Sequence, residues 1–261
     1  MNMSHFCVAL VTGAGSGIGK AVAERLAREN VTVGVLGRSE SELRETFNKI
    51  VADGGKAIVL VADISDEKQM RRAVQQLVDE TGRLDIVVAN AGINGVWAPI
   101  DDLQPSEWDQ TIAVNLRGTY LTLHLTVPHL KGCGGGSIVV VSSINGTRTF
   151  TTPGATAYTA TKAAQVAMVQ QLALELGKHG IRINAVCPGA IATKIEDNTS
   201  LRGEKETVIP VNWPEGDVPI TGGDPGRPDD VAEVVWFLAS RGSRHVTGSP
   251  IWVDGGQGLL R

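Results

Sequence analysis

Tyr158 and Lys162 stand four residues apart in the run Tyr-Thr-Ala-Thr-Lys. On a helix that spacing puts both side chains on one face, with Cβ atoms roughly 5–6 Å apart. A free phenol titrates near ~10, so ionising one at pH 7 costs about 4 kcal/mol at about 1.36 kcal/mol per pKa unit. A neighbouring ammonium lowers that cost, so the pair is a candidate for moving a proton at neutral pH. A surface tyrosine lying along a lysine stem would show the same spacing, so the pair needs its context. Ala160, Ala163 and Ala164 favour helix, and Val166, Val169, Leu172 and Leu176 recur at helical spacing, which predicts an amphipathic helix with the pair near its start.

Several elements must position that pair. Phe6 to Val11 is an unbroken apolar run, as a parallel strand buried on both faces would be, and it leads into Thr12-Gly-Ala-Gly-Ser-Gly-Ile-Gly19. Strand, glycine turn and a helix over about 17–29 would offer free N–H groups and a positive dipole end to a pyrophosphate. The spacing of Gly13, Gly17 and Gly19 departs from G-x-G-x-x-G, so a Gly-rich turn without a ligand is the competing reading. A second strand, Val31 to Leu36, ends at Gly37-Arg38-Ser39, with no carboxylate for a ribose 2′-hydroxyl. Arg38, with Ser39 beside it, is suited to a 2′-phosphate and so favours NADP(H), although Arg38 can equally be a solvated residue opening the next helix. Ser16 supplies no second cation. A third strand, 57–62, ends at Asp63, which either accepts a hydrogen bond from adenine or caps the helix opening near Asp66. A fourth, Asp85 to Ala89, runs into Asn90-Ala91-Gly92, small residues against which a cofactor can lie.

Leu103 to Leu130 contains a long helix in which Asn115 is a polar residue among apolar neighbours, either a satisfied core amide or a functional one. The fifth strand, Gly136 to Ser143, carries Ser143 at its carboxyl end, where open α/β sheets bind ligands. Ile181 to Val186 forms a sixth strand ending in Cys187-Pro188-Gly189, and a helix over 229–239 and a strand over 250–253 close the chain. Between them, 190–227 is rich in Gly, Pro, Asp and Glu, the composition of a substrate lid.

The 261 residues, 42% hydrophobic and with no linker, predict one α/β domain over 1–261. A net charge of −4 with interspersed signs argues against nucleic acid or an anionic membrane as partner. Cys7, Cys133 and Cys187 are widely spaced and read as reduced thiols, with no metal-ligand pattern. The amino terminus lacks a signal-peptide pattern and no run is long enough for a membrane span, so a soluble, cytoplasmic protein is expected.

Taken together these residues resemble the classical short-chain dehydrogenase/reductase family over essentially the whole chain. Its markers occur in order: the 12–19 glycine motif, Asp63, Asn90-Ala91-Gly92, Asn115, Ser142-Ser143, Tyr158 with Lys162, and Pro188-Gly189 followed by Thr193. Two positions depart from the pattern. Ala89 replaces the first Asn of Asn-Asn-Ala-Gly, and Ser143 lies fifteen residues before Tyr158, about two more than is common. Ser143 is preferred to Ser142 because Ser143-Ile-Asn-Gly146 reproduces S-x-x-G, the added length falling in the 147–156 loop.

The resemblance implies a doubly wound Rossmann-type domain whose seven parallel strands run 3-2-1-4-5-6-7, with helices on both faces. It implies cofactor contacts at Gly13, Ser16, Gly17, Ile18, Gly19, Arg38, Ser39, Asp63, Ile64, Asn90, Ala91, Gly92, Tyr158, Lys162, Pro188, Gly189, Ile191 and Thr193. It implies reversible hydride transfer without a metal, with Tyr158 as proton donor or acceptor, Lys162 lowering its pKa, Ser143 binding the substrate oxygen, and Asn115 ordering a relay water. A homotetramer built through the long helices and the carboxyl-terminal Ile251-Trp252-Val253 segment is implied as well. The substrate is a 3-oxoacyl thioester or, given a polar lid carrying Glu196, Asp197, Arg202, Glu215 and Asp217 with Trp213 and Trp97 as walls, a sugar or polyol. The competing class is a non-catalytic NADP-binding regulator, expected to have lost one of Asn115, Ser143, Tyr158 or Lys162; all four are present.

Overall fold

The computed structural model describes residues 7–193, 199–208 and 218–260. Apolar runs flanked by helices become strands buried on both sides. β1 (Cys7–Thr12) pairs in parallel with β2 (Val31–Gly37) and β4 (Ile86–Ala89). β3 (Lys56–Val61) extends β2, while β6 (Gly136–Val141), β7 (Ile181–Pro188) and β9 (Pro250–Val253) continue from β4. The result is a seven-stranded parallel sheet in the order β3-β2-β1-β4-β6-β7-β9. A small two-stranded sheet stands apart from it, formed by β5 (Gly95–Trp97) and β8 (Thr199–Leu201). Setting those two short strands aside, this is the topology the resemblance implied.

Alternation along each strand divides the apolar interior into two layers. Val8 and Leu10 of β1 face α3 (Glu67–Thr81), α5 (Gly118–Gly132) and α6 (Thr156–Gly177), packing with Leu77, Leu130 and Leu176. Ala9 and Val11 face α1 (Gly17–Arg28), α2 (Glu40–Ala52) and α8 (Pro228–Ala239), packing with Leu26, Leu43 and Val235. Each fully buried leucine in these layers contributes roughly 1.5–3 kcal/mol.

The structure alters four details of the sequence reading. The helix expected across 103–130 is α4 (Pro105–Thr111), a π-turn over Ile112–Arg117 that contains Asn115, and then α5. Wide turns of this kind occur mostly as single insertions and often at functional sites. The strand expected to reach Ser143 ends at Val141, so both serines lie beyond the sheet edge. The segment after Ile191 is not featureless: β8, α7 (Glu204–Thr207) and a 3-10 turn at Pro219–Thr221 lie within it. Glu196, Asp197, Trp213, Glu215 and Asp217 lie outside the described residues. Finally, α6 is not amphipathic: its buried face mixes Thr161, Lys162 and Gln165 with Tyr158, Val169 and Leu176, while Leu174 on the outer face is 82% exposed. No helix among the described residues is long and apolar enough to cross a membrane.

Candidate active site

The carboxyl ends of β1, β2, β3 and β4 open onto a cleft lined by Gly13, Gly17, Ile18, Arg38, Asp63 and Gly92, together with Ser16, Ile64, Asn90, Ala91 and Thr193. Gly13 and Gly17 adopt φ values of 67° and 51°, in the region that favours glycine. A Cβ at Gly13 would lie 2.9 Å from the Ala91 Cα, so the loop and the end of β4 can approach only without a side chain there. Ser16 stands at the amino end of α1 with no side-chain cap, leaving the first-turn N–H groups open to an anion. Asn90 ties the walls together: its Nδ2 donates to the Thr12 carbonyl at 3.0 Å, and the Thr12 hydroxyl oxygen accepts from the Asn90 and Ala91 N–H groups. A glycine-walled cleft closed by a helix amino end fits a dinucleotide, with room for its diphosphate against the backbone.

At the adenosine end, Arg38 is exposed and its Nη1 lies 4.0 Å from an Asp63 carboxylate oxygen. Asp63 does not cap α3. Its Oδ1 accepts from the Ser65 N–H and hydroxyl, while Asp66 caps the helix by accepting from Gln69 N–H at 2.9 Å. Ser39, expected beside a 2′-phosphate, accepts from Glu42 N–H as the cap of α2 and does not line the cleft. Gly37 lines it too, and Ala62, Ile93 and Val114 do so without having been singled out in the sequence.

A second chamber adjoins the first, lined by Ile18, Ser143, Tyr158, Lys162, Pro188 and Gly189, with Ile191 and Thr193 at its edge. It brings together residues from β6, α6 and β7. Tyr158 sits in the first turns of α6, 8% exposed, and lines the chamber beside Ser143. Ser142, by contrast, donates to the Lys162 carbonyl at 2.8 Å and so serves the backbone of α6. The Lys162 ammonium donates to the Val141 carbonyl at 3.0 Å and lies 5.4 Å from the Tyr158 ring centre.

The acidification expected of Tyr158 is not the dominant effect. Burial raises the phenol above its ordinary value, and the neighbouring Ser143 hydroxyl opposes that rise. Burial also pushes the Lys162 ammonium down to about 8. The reason is geometric: Lys162 reaches past the ring to a strand-end carbonyl, and the pocket removes water from both groups.

Asn115 is fully buried, and its amide clamps one main-chain position, accepting from Ile93 N–H at 2.9 Å and donating to the Ile93 carbonyl at 2.8 Å. Its carbonyl accepts from the Thr119 hydroxyl and from Gln165 Nε2. The side-chain oxygen faces Gly92, as does the Lys162 ammonium. Neither Thr161, which accepts from Asn115 Nδ2, nor Gln165 stood out in the sequence, because both read as ordinary polar positions on a helix.

Beyond Tyr158 lies a cavity of about 330 Å³ lined by Trp97, Ser143, Asn145, Thr149, Thr152 and Gln257, among others. The Trp97 ring lies 6.5 Å from that of Tyr158. β5, which contributes Trp97 to that wall, pairs with β8, and the Asn94 amide donates to the Thr199 hydroxyl at 2.7 Å. Arg202, expected as a polar lid residue, forms a fork on Glu107 at 2.8 and 2.9 Å and also pairs with Asp102. That fork holds the Glu107 carboxyl down to about 2. No group of three His, Cys, Asp or Glu able to hold a metal occurs among the described residues.

Comparison with known proteins agrees with this architecture. Residues 13–257 match the family model described as enoyl-(acyl carrier protein) reductase. The chain is 72% identical to the crystal structure of a 3-ketoacyl-ACP reductase from Sinorhizobium meliloti 1021, with a TM-score of 0.93, covering 97% of this chain and 100% of that one. A 3-ketoacyl-(acyl-carrier-protein) reductase from Brucella melitensis complexed with NADH is 32% identical, with a TM-score of 0.85 and 97% and 98% of the two chains covered. A Mycobacterium tuberculosis protein named as an NAD-dependent oxidoreductase is 38% identical over 97% of this chain and 96% of its own length. With a matching sheet order, a glycine-walled dinucleotide cleft and relatives that span the full chain, this protein belongs to the short-chain dehydrogenase/reductase family of NAD(P)-dependent oxidoreductases.

Proposed function

We propose that the protein reduces a carbonyl to a secondary alcohol, reversibly, with Tyr158 as the proton donor. The observation that carries this reading is the juxtaposition of Tyr158 and Ser143, which together line both the chamber next to the glycine-walled cleft and the polar cavity beyond it. When bound, the nicotinamide cofactor supplies or accepts the hydride. A phenol kept neutral by burial suits reduction, in which it gives its proton to the developing alkoxide. Ser143 donates a hydrogen bond to the same oxygen and stabilises the charge growing on it. Lys162 holds the nicotinamide ribose and supplies positive charge beneath the tyrosine. Asn115 and Lys162 both face Gly92, which suits a relay water between them.

NADP(H) is the preferred cofactor in this reading, because Arg38 and no acid ends β2. The Glu42 carboxylate packed against Gly15 is the observation that favours NAD(H) instead. The substrate is a 3-oxoacyl thioester, as in the names of the Sinorhizobium and Brucella relatives, or a sugar or polyol. A homotetramer is supported by outward-facing Ala160, Ala167 and Leu174, a seven-residue repeat along α6. The test is a spectrophotometric panel of ketones and alcohols with all four cofactor forms. Turnover with a preference for NADP(H) is expected; a preference for NAD(H) removes the role given to Arg38. Cofactor binding without any turnover would favour a non-catalytic NADP-binding protein.

A further inference from the structure

The cavity beyond Tyr158 has a wall that the reacting carbonyl does not use. The loop after Ser143 folds back tightly: Asn145 N–H donates to the Ser143 hydroxyl oxygen at 3.1 Å, and Gly146 N–H donates to the Thr149 carbonyl at 3.0 Å. Gly146 has a φ of 79°, and a Cβ there would lie 2.4 Å from the Thr159 carbonyl, so the turn packs directly on the start of α6. Within it, Asn145 Oδ1 accepts from the hydroxyls of Thr149 and Thr152, at 2.8 and 2.9 Å. Its Nδ2 makes no hydrogen bond among the described residues.

Gln257, from the carboxyl-terminal segment, repeats the arrangement. Its Oε1 accepts from Ala190 N–H at 2.7 Å, which fixes the amide's orientation and leaves Nε2 without a described partner. The two segments are pinned to each other. The Arg148 guanidinium lies 3.9 Å over the Trp252 ring and 3.5 Å from Asp254, whose carboxylate accepts from the N–H groups of Gly256 and Gly258.

We infer that Asn145 and Gln257 form a subsite for a second oxygen on the substrate, carried close to the reacting carbonyl. This rests on the carbonyl-reductase reading. Each amide spends its oxygen on the protein and keeps N–H donors on a cavity that also holds Ser143 and Tyr158. No charged side chain lines that cavity among the described residues, so it selects an uncharged acceptor rather than a carboxylate or phosphate, which would call for Arg or Lys. The ligand chemistry is therefore a neutral carbonyl compound with a nearby ester-like carbonyl or hydroxyl. A site built to donate hydrogen bonds discriminates against a ligand lacking the acceptor, because its donors are then buried unpaired.

The test compares kcat/KM with NADPH for a short 3-oxo ester, a short hydroxyketone and the plain ketone of the same skeleton. The wild-type enzyme is expected to prefer one of the first two by about tenfold, the scale of one or two neutral hydrogen bonds. Asn145→Asp keeps the acceptor for Thr149 and Thr152 but loses the donor, and Gln257→Glu does the same for Ala190. Each is expected to bring the preference to within about twofold. Preference for the ester identifies an acyl-type carbonyl at the subsite, and preference for the hydroxyketone a sugar-type hydroxyl. A wild-type enzyme with no preference, or variants in which all rates fall together at an unchanged ratio, overturns the subsite and leaves the reductase reading standing. A wild-type enzyme that binds NADPH and reduces none of the three overturns both.

Discussion

The buried Lys162 ammonium is the least comfortable charge in the molecule. Its pKa is about 8 in the folded chain, against 10.5 ordinarily, so folding costs free energy whenever the group is protonated in both states. That cost is present in full below pH 8. Between about pH 8 and 10.5 the unfolded chain binds more protons, and stability rises with pH. Lys162→Met removes the charge and is expected to stabilise the cofactor-free protein at pH 7 by about 1–3 kcal/mol, raising Tm by roughly 2–4 °C per kcal/mol, while abolishing turnover. Calorimetry at pH 7 and pH 9.5 checks this, and the gain should shrink at the higher pH. The chemistry proposed for Tyr158 and Lys162 is legible in their types and spacing. The direction of their pKa values is not, because it is set by burial, which arises only when the fold packs distant segments such as the end of β6 against α6.

Among the elements, apolar runs ending in glycine or small polar residues locate β1, β2, β4 and β7 well, since a strand buried on both faces must be apolar throughout. The π-turn around Asn115 is invisible to periodicity. The Asn115 side chain in it is held by a pair of hydrogen bonds to Ile93, 22 residues away in the chain. β5 and β8 were missed for a similar reason: three-residue strands carry no pattern, and they exist because each supplies the other's partner. Arg202 fastens β8 to α4 through Glu107 and Asp102. Because Glu107 is held down to about 2, the latch stays charged well below the pH at which an ordinary glutamate takes up a proton, and it is lost only as pH falls towards that value. Arg202→Ala is expected to raise KM for the carbonyl substrate roughly three- to tenfold while the NADPH Kd stays within about twofold, since loosening β8 frees Asn94 and Trp97 but not the glycine cleft. Steady-state kinetics beside NADPH fluorescence titration separates the two.

For the whole molecule, the order of the sheet follows from the resemblance rather than from periodicity, which cannot choose neighbours among buried strands. Assembly is likewise unreadable from one chain's pattern, yet α6 exposes Leu174 at 82% and α5 exposes Tyr120 at 50%, surfaces that favour burial against another copy. Leu174→Glu puts a charge into that face and, if the proposed homotetramer forms through α6, is expected to lower the assembly to dimer or monomer with the monomer fold intact. Light scattering with circular dichroism reads both; an unchanged tetramer would remove α6 from the interface.

In the proposed reaction one phenol, that of Tyr158, carries the proton that accompanies hydride transfer. Tyr158→Phe keeps the ring against Trp97 and removes only the hydroxyl, so kcat for ketone reduction is expected to fall by about 10²–10⁴ with the NADPH Kd within about twofold of wild type. A variant that binds NADPH normally and keeps most of its turnover would contradict it.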